Sequence, residues 1–453
     1  MTFKKIFIVS LILVFGLPTF AKDVTNKVEY MNFDWWNKYN DEVLVSHLHT
    51  LYENNHNLKA AAYKTKQAEE NIRLATSNQL PKASIDAQLM RTMRGAQTEF
   101  GNVIIPQYSQ NNIYLPLNAS YEIDIWGENY LARKSAKVQK EIAEQEERSA
   151  YIYITSSFVA NYFNLIKFDT LENILNEIID TQKQIVCMTE KKYDLGLASI
   201  TELLNAKQIL VKNEEELNRI IENKKVVNNQ LVSMLGLNTD KDIEHASIEN
   251  LTLQDVPEKL SATVIQYRPD LIESEKYAEK VGIDVRIAKR DFLPKFFLFG
   301  NLGFNAYRWN SVFNNTTFLS NIGIAPSWDI FSGGAKLAKF RINKYEYKKA
   351  GENYQQSVLN SVQEVNDALA LAKMTKSNLV KSEEDFAIES HKYELAVKQF
   401  NIGDSSKLDE MQSKVNLLIA KEHHVSSMVN DAISSISLYN AVGGIDYTKE
   451  ENL

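Results

Sequence analysis

The sequence predicts a mainly helical protein built from two similar halves, each with a long antiparallel helical hairpin and a pair of β-strands. Segments recur 207 residues apart, so that YDLG at 193–196 returns as FNIG at 400–403, and LGL at 235–237 returns as VGG at 442–444. Proline, which breaks helix interiors, is absent from 117–256 and from residue 327 onward. One repeat of this size indicates two copies of a structural unit rather than a series of short repeats.

The chain is predicted to contain a leader segment followed by two structural repeats. Lys4 and Lys5 precede an apolar run and the small residues of TFA at 19–21, as in a secretory signal peptide over residues 1–21. The run is shorter than the ~20 residues of a spanning helix, and no cysteine follows it, so no lipid anchor is expected there. The predicted repeats are 22–257 and 258–453, with β-hairpins at 84–126 and 295–331 and helical hairpin tips at 193–199 and 400–405.

The composition excludes several classes of protein. A formal net charge of −7 gives no basic surface for nucleic acid. The single cysteine, Cys187, excludes an internal disulfide framework. The chain carries no nucleophile elbow, no HExxH and no phosphate-binding glycine-rich loop, so no catalysis is predicted. The pairs His47/His49 and His423/His424 lack supporting ligands, and no metal or other cofactor is predicted.

The long regions that lack proline have the residue pattern of helices. Apolar residues recur there at intervals of three and four residues, with Glu and Lys between them. Tight turns around Gly196 and Gly403 separate two helices in each repeat, so each repeat contains a hairpin whose tip lies at a glycine. The predicted helices cover 128–192, 200–235, 335–399 and 408–442.

A different pattern precedes each helical hairpin. Residues 112–126 alternate almost without error between an apolar and a polar face, which is typical of a strand. The apolar face carries Ile113, Leu115, Leu117, Ala119, Tyr121, Ile123 and Ile125, and the polar face carries Asn112, Asn118, Ser120, Glu122 and Asp124. Similar alternation over 84–89, 296–304 and 322–330 predicts three further strands, and polar loops at 95–110 and 307–315 join each pair.

Four strands of about ten residues have the length and alternation of outer-membrane barrel strands. A small soluble sheet is the alternative on the strands alone. Predicted export and the aromatic residues at strand ends, such as Trp126 and Trp328, favour the membrane. Four strands cannot close a barrel in lipid, where an open edge leaves backbone groups unpaired at several kcal/mol each. Two copies of the chain would supply eight strands, and three copies would supply twelve.

Several stretches, in order along the chain, resemble the TolC-type outer membrane efflux proteins, most closely the branch that serves resistance-nodulation-division (RND) drug pumps. They are FDWW at 33–36, NL at 57–58, LP at 80–81, YEIDIWG at 121–127, RPDL at 268–271 and WDIFSGG at 328–334, with Tyr193, Gly196 and Ser199 at the first tip. The stretches extend across nearly the whole mature chain. Many members of this branch carry a lipidated cysteine at the mature N-terminus, and AKD at 21–23 offers none.

The resemblance implies a homotrimer that combines a trimeric α-barrel with a twelve-stranded β-barrel in the outer membrane. The helices would extend into the periplasm, surrounded by a mixed belt of the N-terminal segment, the connector 238–258 and the C-terminus. The implied function is the passive exit duct of a tripartite efflux pump for drugs or other small molecules. The implied partners are a periplasmic adaptor (membrane fusion) protein, an inner-membrane RND transporter and outer-membrane lipids. The resemblance does not separate drug, metal and protein export.

In the family, acidic side chains just past the hairpin tips narrow the entrance of the duct. Glu202 and Asp409 match them, each six residues after a tip glycine, and are predicted to form a cation-selective periplasmic gate. The alternative is a solvated acid early in a helix, where the dipole favours negative charge. At the position of a second family acid, three residues after Asp409, this chain has Gln412. Glu410 is the candidate substitute for that acid, although a helix would point its side chain elsewhere. Adaptor docking is predicted at Leu195, Gly196, Leu197, Ala198 and Ser199, and at Ile402, Gly403, Asp404 and Ser405.

Two other functions stay open at this point. The first, on the same fold, is the exit duct of a type I protein secretion system, and drug susceptibility on deletion would separate it from drug efflux. The second belongs to a different class, a non-conducting coiled-coil scaffold of the envelope. A scaffold has no need for paired strands with an apolar exterior, so the strand alternation favours a channel.

Overall fold

The computed structural model describes residues 28–99, 102–105, 107–237 and 241–448, and the predicted signal peptide, residues 1–21, lies outside the described residues. The four longest helices begin and end within two residues of their predicted bounds. The helices are α1 (Val28–Met31), α2 (Phe33–Trp36), α3 (Glu42–Asn54), α4 (His56–Ser77), α5 (Glu128–Asp194), α6 (Ile200–Met234), α7 (Pro269–Arg290), α8 (Ala335–Asn401) and α9 (Lys407–Ala441). The strands are β1 (Lys82–Ile85), β2 (Gln88–Arg94), β3 (Gln97–Glu99), β4 (Asn102–Ile105), β5 (Tyr108–Ile123), β6 (Lys295–Ala306) and β7 (Phe318–Ser327).

The chain folds into two compact units, and each unit is discontinuous in sequence. The first contains Met1–Tyr63, Ala150–Val256 and Ala372–Ser437, and the second contains Lys64–Ser149, Pro257–Leu371 and Leu438–Leu453. Each unit draws on both predicted repeats, 22–257 and 258–453. The compact units therefore follow a different division from the sequence repeat, and the repeat boundaries stay a prediction.

The first unit is held together by apolar side chains spaced at helical intervals on three helices. Removing one Leu or Ile of this size from water contributes roughly 1.5–3 kcal/mol. Between α5 and α6, the buried amide of Gln182 donates a hydrogen bond from Nε2 to the carbonyl of Ala206 at 3.2 Å. The cluster consists of Leu171, Ile174, Leu175, Ile178 and Ile185 on α5, Ile220 on α6, and Val415, Leu418 and Val425 on α9.

The N-terminal segment and the connector after α6 also pack into the first unit. Trp35, Trp36 and Tyr39 are almost completely buried, and the hydroxyl of Tyr39 lies 2.9 Å from Ser435 Oγ on α9. The Tyr162 hydroxyl on α5 donates to Asp41 at 2.8 Å. It also accepts from the main-chain N–H of Ala246 in the connector at 3.0 Å. Burial raises the pKa of Tyr162, which therefore stays a neutral donor.

In the second unit, Arg268 lies just before α7 and is almost fully buried. Its guanidinium donates to Asp270 at 2.7 Å, to Glu364 on α8 at 2.5 Å and to the carbonyl of Ala441 at the end of α9 at 2.6 Å. Gly443 has a φ of +79°, and an added Cβ would lie 2.7 Å from Arg268 Cα. The RPDL stretch therefore anchors the residues that follow α9 within this unit.

The second unit contains an antiparallel sheet in which β1 and β2 pair with β5, β5 with β6, and β6 with β7. β1 and β2 share one register on β5, with Ile85 opposite Leu117 and Gln88 opposite Tyr114. The pairing of β1 and β2 with β5 is interrupted opposite Pro116. The Pro116 carbonyl accepts a hydrogen bond from the N–H of Asp86 at 3.0 Å, but proline has no N–H to donate in the other direction. β1 and β2 therefore form one interrupted strand, and the sheet contains four neighbouring strands in the order β1/β2, β5, β6, β7.

Two predicted strand ends and one predicted loop differ from the structure. β5 ends at Ile123, not at Trp126, because the Asp124 carboxylate accepts from the N–H of Tyr130 at 2.9 Å and Gly127 takes a φ of +68°. These features make a turn that leads into α5. β7 ends at Ser327, so the WDIF stretch lies outside the sheet. The loop predicted at 95–110 contains the paired strands β3 and β4 and the first residues of β5.

Pairing places apolar side chains of neighbouring strands in common rows, as the alternation predicts. Leu117 lies opposite Leu302, and Tyr121 opposite Leu298, which in turn lies opposite Ile324. Many of these side chains are exposed on a single chain, including Ile324 at 65%. Among the described helices, none is both long and apolar enough to cross a bilayer.

Candidate functional site at the hairpin tips

The two tips end their first helix in the same way. After α5, the N–H of Leu197 donates to the carbonyl of Lys192 at 2.7 Å, and Gly196 takes a φ of +72°. After α8, the N–H of Asp404 donates to the carbonyl of Gln399 at 2.9 Å, and Gly403 takes a φ of +82°. This is the Schellman arrangement, which needs a left-handed residue and therefore favours glycine. It satisfies carbonyls that the helix end leaves unpaired.

The second helix of each tip begins with a serine and an acid three residues later. Ser199 Oγ accepts from the N–H of Glu202 at 3.2 Å and lies 3.2 Å from its carboxylate. Ser406 Oγ accepts from the N–H of Asp409 at 3.3 Å. Asp409 Oδ2 in turn accepts from the N–H of Ser406 at 3.0 Å and from its hydroxyl at 2.7 Å. The second tip is thus a complete capping box, and the first has the same residue order.

The two predicted gate acids therefore lie in the first turns of their helices. Glu202 is the third residue of α6, and Asp409 is the third residue of α9. Both are exposed. Hydrogen bonds from the Ser406 hydroxyl and from its main-chain N–H lower the pKa of Asp409, so its carboxylate is charged at neutral pH. This helix-capping role matches the alternative that the sequence left open. A gate role does not conflict with it, because both carboxylates keep solvent-facing oxygens, and that role stays a prediction.

Glu410 does not replace the family acid missing at Gln412. Its side chain is buried, and both carboxylate oxygens lie 2.6 Å from Lys407 Nζ. The same ammonium group lies 4.9 Å from the centre of the Phe400 ring. Glu410 therefore belongs to a compact ion pair inside the second tip. Gln412 is exposed, so its position offers a neutral side chain.

The predicted docking residues include three bare apolar side chains. Leu195, Leu197 and Ile402 are 74%, 71% and 79% exposed. No other atom lies within 4 Å of a Cβ built on Gly196 or Gly403, so their surroundings are open. The remaining predicted residues divide by exposure: Ser199 and Asp404 are exposed, and Ala198 and Ser405 are half-buried.

Two residues of the second tip were missed by the sequence analysis. Ser406, not Ser405, is the capping serine, and the 207-residue offset from Ser199 was the signal that identifies it. Lys407, the partner of Glu410, gave no signal of its own, because a lysine beside an acid is common on any helix.

Three of the four paired histidines contact a main-chain carbonyl or an aromatic ring. His47 Nε2 lies 2.9 Å from the carbonyl of Glu244, and His49 stacks on Phe33 with ring centres 4.4 Å apart. His424 stacks on Phe386. Across the described ranges, no group of three or more His, Cys, Asp or Glu side chains is arranged to hold a metal ion.

Known proteins share this fold over almost the whole chain. The crystal structure of the Campylobacter jejuni CmeC outer membrane channel matches with a TM-score of 0.82 and 24% identity, over 96% of this chain and 92% of that one. The cation efflux system protein CusC of Escherichia coli O157:H7 is 22% identical over 417 residues, 92% of this chain and 89% of CusC. The probable efflux pump outer membrane protein TtgC of Pseudomonas putida is 23% identical over 436 residues, 94% of this chain and 88% of TtgC.

Long helical hairpins with capped tips, combined with a small antiparallel sheet, define an outer membrane channel of the TolC type. Residues 48–237 and 260–444 match the family described as Outer membrane efflux protein. The chain belongs to this family: it is an outer membrane efflux channel and not an enzyme. The predicted family, mainly helical fold class, function and location are confirmed, whereas the gate and docking residues stay predictions.

Proposed function

We propose that this chain is the exit duct of a tripartite efflux pump and works as a homotrimer. The observation that carries the proposal is the sheet of four neighbouring strands. Its outer strands, β1/β2 on one side and β7 on the other, each have one edge without a partner in the described chain. In lipid such edges must pair, because there is no water to satisfy their backbone groups. Copies of the same chain supply matching edges.

Three copies would join their strands into a closed barrel of twelve, with the apolar rows toward lipid and the polar face toward the lumen. The choice of three rather than two rests on the resemblance to TolC-type proteins. The helical hairpins would continue the duct into the periplasm, and transport through it would be passive. An RND transporter of the inner membrane would supply the energy.

The hairpin tips would serve both as the gate and as the docking site for a periplasmic adaptor protein. Leu195, Leu197 and Ile402 support docking, because exposed apolar side chains at a tip suit burial against a partner. Glu202 and Asp409 support the gate, because exposed carboxylates in a ring attract cations. Small molecules are the proposed cargo, since CusC is described as part of a cation efflux system and TtgC as part of an efflux pump.

Fractionation of cell envelopes followed by mass measurement of the purified protein in detergent tests this proposal. The expected result is a protein of the outer membrane with the mass of three chains. A stable water-soluble monomer would overturn it. Deletion of the gene tests the cargo: we expect increased susceptibility to small toxic compounds, whereas loss of a secreted protein alone would indicate type I secretion instead.

A further inference from the structure

The strand register brings one polar side chain from each of β1, β5, β6 and β7 to the same level. Ser84 on β1 lies opposite Asn118 on β5, Asn118 lies opposite Asn301 on β6, and Asn301 lies opposite Asn321 on β7. Residues that face each other across antiparallel strands point to the same side of a sheet. These four side chains, called here the asparagine row, therefore cross the whole sheet on its polar face.

Hydrogen bonds link the side chains of the asparagine row and Asp86 in two groups. Asn321 donates from Nδ2 to Asn301 Oδ1 at 3.0 Å. Asn118 donates from Nδ2 to Asp86 Oδ2 at 2.6 Å, and the Ser84 hydroxyl donates to the same oxygen at 3.3 Å. Asp86 is exposed and lies opposite Pro116, one step along the same face. Each chain thus presents three amides, one hydroxyl and one carboxylate in two hydrogen-bonded groups, Asn301 with Asn321, and Asn118 and Ser84 with Asp86.

On β6 and β7, the rows on either side of the asparagine row are far less polar. Toward the Lys295 end of β6, the next row contains Lys82 on β1, Ser120 on β5 and Phe299 on β6. The Phe299 ring covers Gly323 on β7 so closely that an added Cβ would lie 2.9 Å from it. In the other direction the next row contains Pro116, Gly303 and Leu319. On β6 and β7 the asparagine row is therefore a polar level between much less polar ones, whereas at the β1/β2 edge the neighbouring rows hold Lys82 on one side and Asp86 on the other.

Three asparagines at one level are not explained by strand formation. Asn is disfavoured in strands by up to about 1 kcal/mol relative to β-branched residues. If these positions served only strand pairing, Val or Thr would stabilise the sheet more than Asn does. Amides that both donate and accept hydrogen bonds, together with a carboxylate, suit contact with water and with polar, positively charged solutes instead.

We propose that the asparagine row and Asp86 form a cation-selective collar of the duct, at which hydrated cations and cationic polar cargo exchange hydrogen bonds with the wall. The inference rests on the proposed function, because the collar closes only if copies of the chain join with the polar face inward. Three chains place nine amides around one level and three Asp86 carboxylates around the next row. A ring of carboxylates in a pore favours cations over anions.

Cysteine labelling tests which face of the sheet meets water. In a Cys187→Ser background, Asn301→Cys and Asn321→Cys are expected to react in intact cells with a membrane-impermeant methanethiosulfonate. Leu302→Cys and Ile322→Cys, the next residues on the opposite face, are the matched controls and are expected to stay unlabelled. Labelling of both faces would overturn the barrel and with it the proposed function. Labelling of the controls alone would overturn the assignment of the asparagine row to the lumen.

Reversal potentials of purified trimers in planar bilayers under a salt gradient then test selectivity. Asp86→Asn keeps the hydrogen-bond acceptor but removes the charge, and is expected to lower the cation-to-anion permeability ratio about twofold. Asn301→Asp is expected to raise the ratio about twofold, and Asn301→Lys to lower it. Asn315→Asp, on the exposed turn beyond the sheet, is the control and is expected to change nothing. If Asn301→Cys labels as expected but all four ratios equal that of the unmodified protein, the duct stands and the collar is wrong.

Discussion

Arg268 Nη1 donates a hydrogen bond to the main-chain carbonyl of Ala441 at 2.6 Å, and this bond ties the start of α7 to the end of α9. The same guanidinium holds Asp270 and Glu364. We expect Arg268→Ala to lower the free energy of unfolding by about 2 kcal/mol, because bonds to a charged donor contribute roughly 1.5–3 kcal/mol. Thermal unfolding in detergent measures the loss. Arg286→Ala, an exposed arginine on the same helix, is the control, and equal losses for both variants would contradict the anchoring role.

Replacement by alanine should change the stability of the protein in opposite directions at Gly443 and at Gly351. Gly443→Ala is expected to destabilise the protein, since the new Cβ would lie 2.7 Å from Arg268 Cα and the residue has a φ of +79°. Gly351 lies inside α8 with no atom within 4 Å of an added Cβ. Gly351→Ala is therefore expected to stabilise the protein by about 1 kcal/mol per chain, through helix propensity. Unfolding temperatures of the two variants check this contrast, and a shared direction would disprove it.

The cap at the second tip should depend on pH through Asp409. The folded-state pKa lies below the ordinary value of 3.8, because Ser406 donates to the carboxylate. Its contribution to stability is therefore complete above that value and is lost as the pH falls through the lowered folded pKa. We expect the difference in unfolding temperature between the unmodified protein and Asp409→Asn to shrink as the pH falls from about 6 to about 3. Asp194→Asn, an exposed acid of the first tip, serves for comparison. A difference that grows toward low pH would show that the sign is wrong.

The gate prediction concerns charge at the closed end of the duct. Combining Glu202→Gln with Asp409→Asn removes both charges and keeps an acceptor for each capping serine. We expect block by a trivalent cation to weaken about tenfold or more in planar bilayers, because a blocker binds a ring of carboxylates mainly through Coulomb attraction. Asp404→Asn removes an exposed charge from the same tip and is expected to leave block unchanged. Unchanged block and conductance in the double variant would reject the gate assignment.

The docking prediction concerns the bare apolar side chains. Leu195→Asp together with Leu197→Asp should lower resistance to that of a deletion strain, because charges would replace side chains that are more than two-thirds exposed and available to a partner. Leu195→Ile with Leu197→Ile keeps the apolar area and should retain resistance. The mass in detergent must remain that of three chains for both variants. Full resistance in the Leu195→Asp/Leu197→Asp variant would show that the adaptor does not dock on the first tip.

Local signals in the sequence were sufficient for the four longest helices and for the glycine turns between them. Gly196 and Gly403 mark helix ends because a left-handed residue is needed there, and Ser199 marks a start because its side chain caps the helix. Strand ends were less predictable. The alternation continues through Ile125, although Asp124 and Gly127 already form a turn, and hydrophobic periodicity carries no information about side-chain hydrogen bonds.

Contacts between distant parts of the chain were beyond prediction from one sequence. The asparagines of β5, β6 and β7 are visible in the sequence as separate residues, but their common level depends on registers set by the whole sheet. Pairing of Arg268 with Glu364 and Ala441 likewise joins residues that are far apart in sequence. Neither relationship has a period or a spacing that would identify it.

The caps at the two tips have a consequence for molecular recognition. The N–H groups of Leu197 and Asp404 already bond to the carbonyls of Lys192 and Gln399, so a visiting protein finds these amides occupied. In the proposed docking, binding would therefore depend on the exposed apolar side chains of Leu195, Leu197 and Ile402, which fit several surfaces of similar shape. Under the docking proposed above, tips of this design would suit more than one partner surface.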